Sequence, residues 1–199
     1  MKDKILEKAG DLFWRIGYKS VTMDDIANEM GISKKTIYKF FKNKEILIQE
    51  STNLIHDSCH KAIDKIVAQR HNPIKENFEI KKMFKEMFQN AGSSPIYQLK
   101  KYYPKIHSKV MTKEMITFSE CIANNINKGI AQGYYRKDVN VDNVVQFYFA
   151  LVFYIYENMP MSSINAIEIN ALEYHTRAIA TSKGIDELEQ QLLIINSSN

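Results

Sequence analysis

Cysteine, proline, glycine and tryptophan are scarce in this chain of 199 residues, which contains two, four, seven and one of them. Two cysteines make no disulfide framework, which excludes a disulfide-rich secreted domain and favours a reduced, cytoplasmic setting. Few helix-breaking residues and little strand-like alternation favour an all-helical fold. We expect no membrane partner, because no window holds the roughly twenty apolar residues of a membrane span and no hydrophobic signal region begins the chain.

Enzyme motifs are absent as well, since the sequence has no glycine-rich phosphate loop and no nucleophile motif. His56 and His60 lie four residues apart on one predicted helix, a spacing that permits a metal site. The sequence places no third ligand near them. We therefore predict no metal, no cofactor and no enzymatic activity.

The most informative segment spans residues 22–44 and reads TMDDIANEMGISKKTIYKFFKNK. Thr22 can cap a first helix, and Asp25 can reach back to it as in a capping box. Gly31 stands where the chain must turn sharply, and Ser33 is the next N-cap. This order predicts a helix, a tight turn and a second helix, the arrangement by which many small proteins place side chains in a DNA groove.

The second helix of this pair is basic. Residues 31–44 hold five lysines and no acidic residue; because the whole chain carries a formal charge of +4, the remainder carries −1. Ile37 and Phe41, four positions apart, are expected to face the core. One basic helix in a near-neutral chain indicates a docking surface for DNA, although a solvated lysine face is the alternative.

A dense, ungapped pattern runs through residues 5–50. Its members are Ile5-Leu6, Ala9, Leu12-Phe13, Gly17-Tyr18, Val21-Thr22-Met23, Ile26-Ala27, Gly31-Ile32-Ser33, Thr36-Ile37-Tyr38, Phe41, Lys44-Glu45 and Leu47. In these residues the segment resembles the N-terminal DNA-binding domain of the TetR family of bacterial transcriptional regulators. The resemblance implies an all-α homodimer that binds palindromic operators in double-stranded DNA, usually as a repressor that a small ligand releases.

The resemblance also assigns DNA contacts by position. Thr22 matches a phosphate contact at the start of the second helix, and Tyr38 and Lys44 match two phosphate anchors. For Tyr38 the alternative is a half-buried core aromatic. Positions that approach bases or nearby phosphates in the family are occupied here by Ser33, Lys34, Lys35 and Thr36, and Lys39 is a further candidate for a phosphate contact.

Two domains are expected. Residues 1–47 form a three-helix DNA-binding domain of the helix-turn-helix type, and residues 48–199 form a larger helical domain for effector binding and dimerisation. A helix of about residues 44–69, capped by Asn43, connects the two. Further breaks in the helical pattern are predicted at residues 70–73, 90–95, 103–104, 133–140, 158–165 and 181–184.

Residues 147–156 read FYFALVFYIY and are apolar or aromatic without interruption. A helix that is apolar all round must be covered all round, so we predict that one side meets a second subunit across a two-fold axis. The alternative is an internal helix of a monomer. Together with a helix around residues 167–180, the predicted interface consists of Phe147, Leu151, Tyr154, Ile155, Ile169 and Leu172.

Methionines and aromatic residues between residues 83 and 118 suit an apolar pocket with adaptable walls, although the same pattern is typical of plain core. We predict a mainly apolar small-molecule effector that is not identified by the sequence. Alternatives are a TetR-like regulator controlled by a protein partner, and a helical interaction module. The candidate pocket residues are Met83, Met87, Phe88, Tyr97, Tyr103, His107, Met111 and Phe118.

Overall fold

The computed structural model of the protein describes residues 1–88 and 94–197, without the side chains of Phe88 and Met161. The all-α prediction is confirmed, since the regular structure in these ranges is helical. The helices are α1 (Lys2–Ile16), α2 (Met23–Met30), α3 (Lys34–Tyr38), α4 (Lys44–Val67), α5 (Pro73–Phe88), α6 (Pro95–Tyr102), α7 (Pro104–Ala131), α8 (Val141–Asn158), α9 (Met161–Ile179) and α10 (Ser182–Ser197).

The first three helices and the start of α4 share one apolar core. The inward stripe of α1 meets the inner faces of the helix pair because apolar residues recur there at helical spacing. Gly17 ends α1 at the predicted position. The fully buried members of this core include Ile5, Phe13, Ile26, Ile37, Phe41, Leu47 and Ile48.

The same core extends into the C-terminal part of the chain. Leu99 of α6 and Ile106 and Val110 of α7 belong to the cluster that holds the first three helices. The backbone N–H of Tyr18 donates to Oε1 of Gln98 at 2.8 Å. A displacement of α6 or α7 is therefore transmitted directly to the N-terminal helices.

Helix α4 connects the two parts as a continuous rod. The side chain of Asn43 accepts a hydrogen bond from the backbone N–H of Ile46, which confirms the predicted cap. No break separates residues 47 and 48, and α4 ends at Val67. A second core lies between α5 and the helices that follow, with Ile74, Phe78, Ile126, Tyr135, Val145, Tyr148, Leu172, Ile179 and Leu188.

Most predicted breaks match the observed connections. Helices end or begin at residues 68–72, at Tyr103, at residues 132–140, at 159–160 and at 180–181. Residues 89–93, within the break predicted at 90–95, lie outside the described part of the chain. None of the helices in the described ranges is long and apolar enough to cross a bilayer.

Candidate nucleic-acid interface and internal cavity

The α2–α3 pair is fixed by local hydrogen bonds. The hydroxyl of Thr22 accepts from the backbone N–H of Asp25 at 3.1 Å, and the Asp25 carboxylate accepts from the backbone N–H of Thr22 at 2.7 Å. These bonds form the predicted capping box. They also hold the pKa of Asp25 below its usual value. Gly31 adopts the left-handed conformation at φ 63°, which glycine reaches without steric cost.

Helix α3 turns one face to the core and the opposite face to solvent. Ile37 is completely buried, whereas Lys34, Lys35 and Lys39 are exposed. Tyr38 is 44% exposed and is not a member of the N-terminal core cluster. The outer face of α3 thus presents three lysines and a phenol on a rigid support.

Several hydroxyl groups at this face are already engaged within the protein. The Thr22 hydroxyl donates to the Asp25 carboxylate at 2.8 Å while accepting from its N–H. The Ser33 hydroxyl accepts from the backbone N–H of Thr36, and the two side-chain oxygens lie 2.9 Å apart. These hydroxyls are engaged in the hydrogen bonds that fix the turn, and the exposed lysines are the charged donors of this face.

Two of the predicted lysines have acidic or carbonyl neighbours. Nζ of Lys34 lies 2.7 Å from the Asp24 carboxylate, an exposed ion pair that raises the pKa of Lys34. Nζ of Lys44 donates to the carbonyl of Lys19 at 3.1 Å. Partial burial lowers the pKa of Lys44. Lys44 is thereby held at the N-terminus of α4, beside the helix pair.

A partly open cavity of about 340 Å³ lies among α4, α5, α6, α7 and α8. Its walls are mostly apolar, with Ile55, Ile63, Ile80, Phe84 and Val152 among the residues that line them. Concave apolar spaces of this size accommodate small organic molecules. The position between α4 and the C-terminal helices places any occupant against the rod that leads to the N-terminal core.

Besides His56 and Glu114, two groups that each contain a lysine and a carboxylate interrupt the apolar wall. The first joins Glu76, Asn125 and Lys128, with Nζ of Lys128 2.6 Å from the Glu76 carboxylate. The second pairs Lys81 of α5 with Glu168 of α9. Burial alone would lower the pKa of Lys81, but attraction to Glu168 outweighs burial and raises it. The charges in both groups are paired within the wall.

The residues predicted for the effector pocket are mostly placed elsewhere. Phe118 lines the cavity. Met87 and Tyr97 are exposed, and the side chain of Phe88 lies outside the described part of the chain. The α5 face that meets the cavity instead carries Ile80, Lys81 and Phe84, so half-buried Met83 is not among the lining residues.

The remaining pocket candidates belong to other contacts. Tyr103 and Met111 pack against the N-terminal core. Nε2 of His107 lies 3.0 Å from the Glu157 carboxylate. Helices α6 and α7 do line part of the cavity, through Ile96, Leu99 and Val110 among others, but these three candidates are not among the lining residues.

The structure places some residues of the predicted subunit interface at the surface and buries others inside the chain. Phe147, Leu151 and Tyr154 of α8 are 72%, 41% and 56% exposed and form one stripe. Ile169 is half-buried. Ile155 and Leu172 differ from the expectation: both are buried inside the chain because they lie on the inner sides of α8 and α9. Tyr174 of α9, which the sequence reasoning missed, is 74% exposed.

These features define the class of protein as an all-helical one, with an N-terminal helix-turn-helix followed by a helical part that contains a cavity. Residues 5–50 match the family model of the bacterial regulatory proteins of the tetR family. The transcriptional regulator of Cytophaga hutchinsonii has the same fold, with a TM-score of 0.74 over 90% of this chain and 98% of that one at 18% identity.

Two curated relatives share the N-terminal part. The chain is 32% identical over 89 residues to IcaR of Staphylococcus aureus, the negative transcriptional regulator of the biofilm operon icaADBC, covering 45% of each chain. It is 47% identical over 62 residues to the HTH-type transcriptional regulator YhgD of Bacillus subtilis, covering 31% of this chain and 32% of YhgD. The chain thus spans less than half the length of the curated relatives it matches. The similarity to the tetR family is carried by residues 5–50 and by these matches in the N-terminal part of the chain.

Proposed function

We propose that the protein represses transcription as a cytoplasmic homodimer on a palindromic operator, and that a small molecule releases it from DNA. The observation that carries this proposal is the outer face of α3, where Lys34, Lys35 and Lys39 stand exposed on a rigid helix pair. A two-fold dimer presents two such faces to successive major grooves about one helical turn apart. Repression is supported by the name of IcaR as a negative regulator.

Within this proposal the contacts divide by chemistry. Lys34 and Lys35, at the front of α3, donate to guanine O6 and N7 or to a nearby phosphate. Tyr38, Lys39 and Lys44 donate to phosphates and fix the register of the helix in the groove. Thr22, Ser33 and Thr36 hold the backbone at the groove edge, since their hydroxyls are engaged locally.

Selection of bound sites from random double-stranded DNA tests the proposal. We expect one palindromic sequence to be enriched, with half-sites separated by about one helical turn. Recovery of random sequences at low salt would contradict sequence-specific binding. Failure to retain any duplex would contradict DNA binding itself.

Asp24→Asn should strengthen DNA binding by about two- to fivefold. Asp24 holds Lys34 in an exposed ion pair at 2.7 Å, and such pairs are worth at most about 1 kcal/mol. The substitution releases Lys34 and removes a negative charge beside the DNA phosphates. Fluorescence anisotropy with operator DNA at several salt concentrations measures the change.

Asp138→Asn is the matched control for that experiment. Asp138 is also an exposed aspartate in an ion pair, with Arg136 at 3.7 Å, but it lies between α7 and α8. The Asp138→Asn variant should bind DNA with the same affinity as the wild type. Unchanged or weaker binding by Asp24→Asn would show that Lys34 makes no contact with DNA.

For the effector, the cavity supports a small molecule over a protein partner, because its lining lies inside the helical bundle. Charged groups in its wall are paired with one another, Lys128 with Glu76, Lys81 with Glu168 and His56 with Glu114. Ligands of such a wall need only a few hydrogen-bonding groups. We therefore place the effector among mainly apolar molecules with a small polar end.

Val152→Trp should abolish the response to such an effector while DNA binding persists. Val152 lines the cavity from α8, and an indole there occupies ligand volume. A thermal-shift panel of fatty acids, bile acids and hydrophobic cations identifies a stabilising compound with the wild type. We expect its apparent affinity for the variant to fall at least about tenfold, since about 1.4 kcal/mol of lost contact suffices.

Ile116→Trp is the control, because Ile116 is exposed on α7 and does not line the cavity. It should respond as the wild type does. Stabilisation of the wild type by small polar metabolites alone would overturn the assignment of an apolar effector, and an equal response in both variants would place the binding site elsewhere.

A further inference from the structure

A cluster of metal-ligand side chains joins α4 to α7. His56 and His60 stand one turn apart on α4, and Glu114 of α7 faces both. Nδ1 of His56 lies 2.5 Å from one carboxylate oxygen of Glu114, and Nε2 of His60 lies 3.8 Å from the other. One ligand atom from each residue lies within 4.8 Å of the other two.

Two atoms of this cluster are poorly satisfied by the protein itself. Nε2 of His60 and Oε2 of Glu114 are buried and make no hydrogen bond of normal geometry to the described residues. A buried polar atom without a partner is unfavourable because it has lost its hydrogen bonds to water. A cation held between the two atoms would satisfy both at once.

The Glu114 carboxylate faces both imidazoles and supplies negative charge for a bound divalent cation. Each imidazole binds a metal only when its coordinating nitrogen carries no proton.

We propose that His56, His60 and Glu114 bind a divalent transition-metal ion of the zinc type. Two imidazoles and one carboxylate are a ligand set that zinc takes when one position stays open, whereas magnesium and calcium prefer oxygen ligands alone. Metal–ligand bonds of about 2.0–2.2 Å put tetrahedral ligand atoms about 3.3 Å apart. The observed separations of 2.5 and 3.8 Å bracket that value.

The proposed metal site lies next to the cavity and on two helices that reach the N-terminal core. His56 and Glu114 line the cavity, so the fourth position of the metal borders the space for the effector. The ion would cross-link α4 and α7, and both helices contribute to the N-terminal core. An effect of the metal on DNA affinity rests on the proposed function, whereas binding of the metal does not.

Direct metal binding tests the site. Untagged, chelator-treated full-length protein is titrated with Zn²⁺ by calorimetry, and Co²⁺ is substituted so that its visible absorption reports tetrahedral coordination. We expect one ion per chain in the micromolar range or tighter. His60→Gln and Glu114→Gln should each weaken binding at least about tenfold, while His71→Gln, which changes a histidine in the turn after α4, should bind as the wild type does.

Circular dichroism and thermal unfolding establish that each variant is folded, and the wild-type titration needs no variant at all. Absence of stoichiometric binding by the wild type overturns the proposal, as does unchanged binding in both glutamine variants. The titration contains no DNA. A protein that binds metal but no DNA would therefore contradict the proposed function alone, and the converse result would contradict this site alone.

Discussion

Replacing Leu151 by glutamate should turn the proposed dimer into a monomer that binds operator DNA at least about 100-fold more weakly. Leu151 lies at the centre of the apolar stripe of α8, between Phe147 and Tyr154. A carboxylate buried there without a partner costs several kcal/mol, which exceeds what an interface of ordinary strength tolerates at its core. Each monomer would then hold a single half-site and lose the gain from simultaneous binding.

Sedimentation at micromolar concentration and DNA anisotropy measure the two effects. Ile116→Glu is the matched control, since Ile116 is 60% exposed on α7, outside the α8 stripe. It should stay dimeric and bind DNA normally. A wild type that sediments as a monomer, or a Leu151→Glu variant that remains a dimer, would contradict the proposed interface.

Glu168→Ala should lower the free energy of unfolding by about 3–5 kcal/mol. Glu168 is buried beside Lys81 and also accepts a hydrogen bond from the Tyr156 hydroxyl at 3.0 Å. Removing the carboxylate leaves a buried ammonium group without its counter-charge. For a chain of this size the melting temperature should fall by about 10 °C.

A double variant separates the cost of breaking the pair from the value of the pair itself. Lys81→Met with Glu168→Leu replaces both charges by apolar groups and should recover most of the lost stability, because desolvation of two charges offsets much of their attraction. Glu29→Ala serves as the control, since Glu29 pairs with Lys8 at the surface and should cost less than about 1 kcal/mol. A Glu168→Ala variant as stable as the control would show that Lys81 finds water or another partner.

The helix-turn-helix unit was predictable from the sequence because the features that define it are local. The capping box joins Thr22 to Asp25, the turn needs the left-handed conformation of Gly31, and Asn43 caps the helix that begins with the next residue. Each signal spans at most four positions. Neither packing nor distant residues can change what such a short segment prefers when its pattern agrees at every position.

The cavity was not predictable in the same way. The periodicity of α5 identifies apolar stripes, but it does not say which stripe faces which neighbour. Ile80 and Phe84 face the cavity, whereas Met87 on the same helix faces solvent. Glu168, the buried partner of Lys81, lies 87 positions away in the sequence, and neither local segment predicts the pair.

For α8 the sequence predicted part of the arrangement, and the rest depended on packing. Ten apolar residues in a row predict a helix covered on all sides. Which of them meet the inside of the chain depends on the rotation of α8 against α9, and the structure assigns Ile155 to the core and Phe147 to the surface. Packing alone decides that Ile155 is buried and Phe147 is exposed.

The sequence by itself determined the helical class, the helix pair with its caps and the basic outer face, since hydrogen bonds and charges within a few positions decide them. Only the tertiary structure decided where the cavity lies and which residue completes the histidine pair. Glu114 is 58 positions from His56, and the two meet because α7 packs against α4. Contacts at that separation arise from the arrangement of helices, which no local pattern encodes.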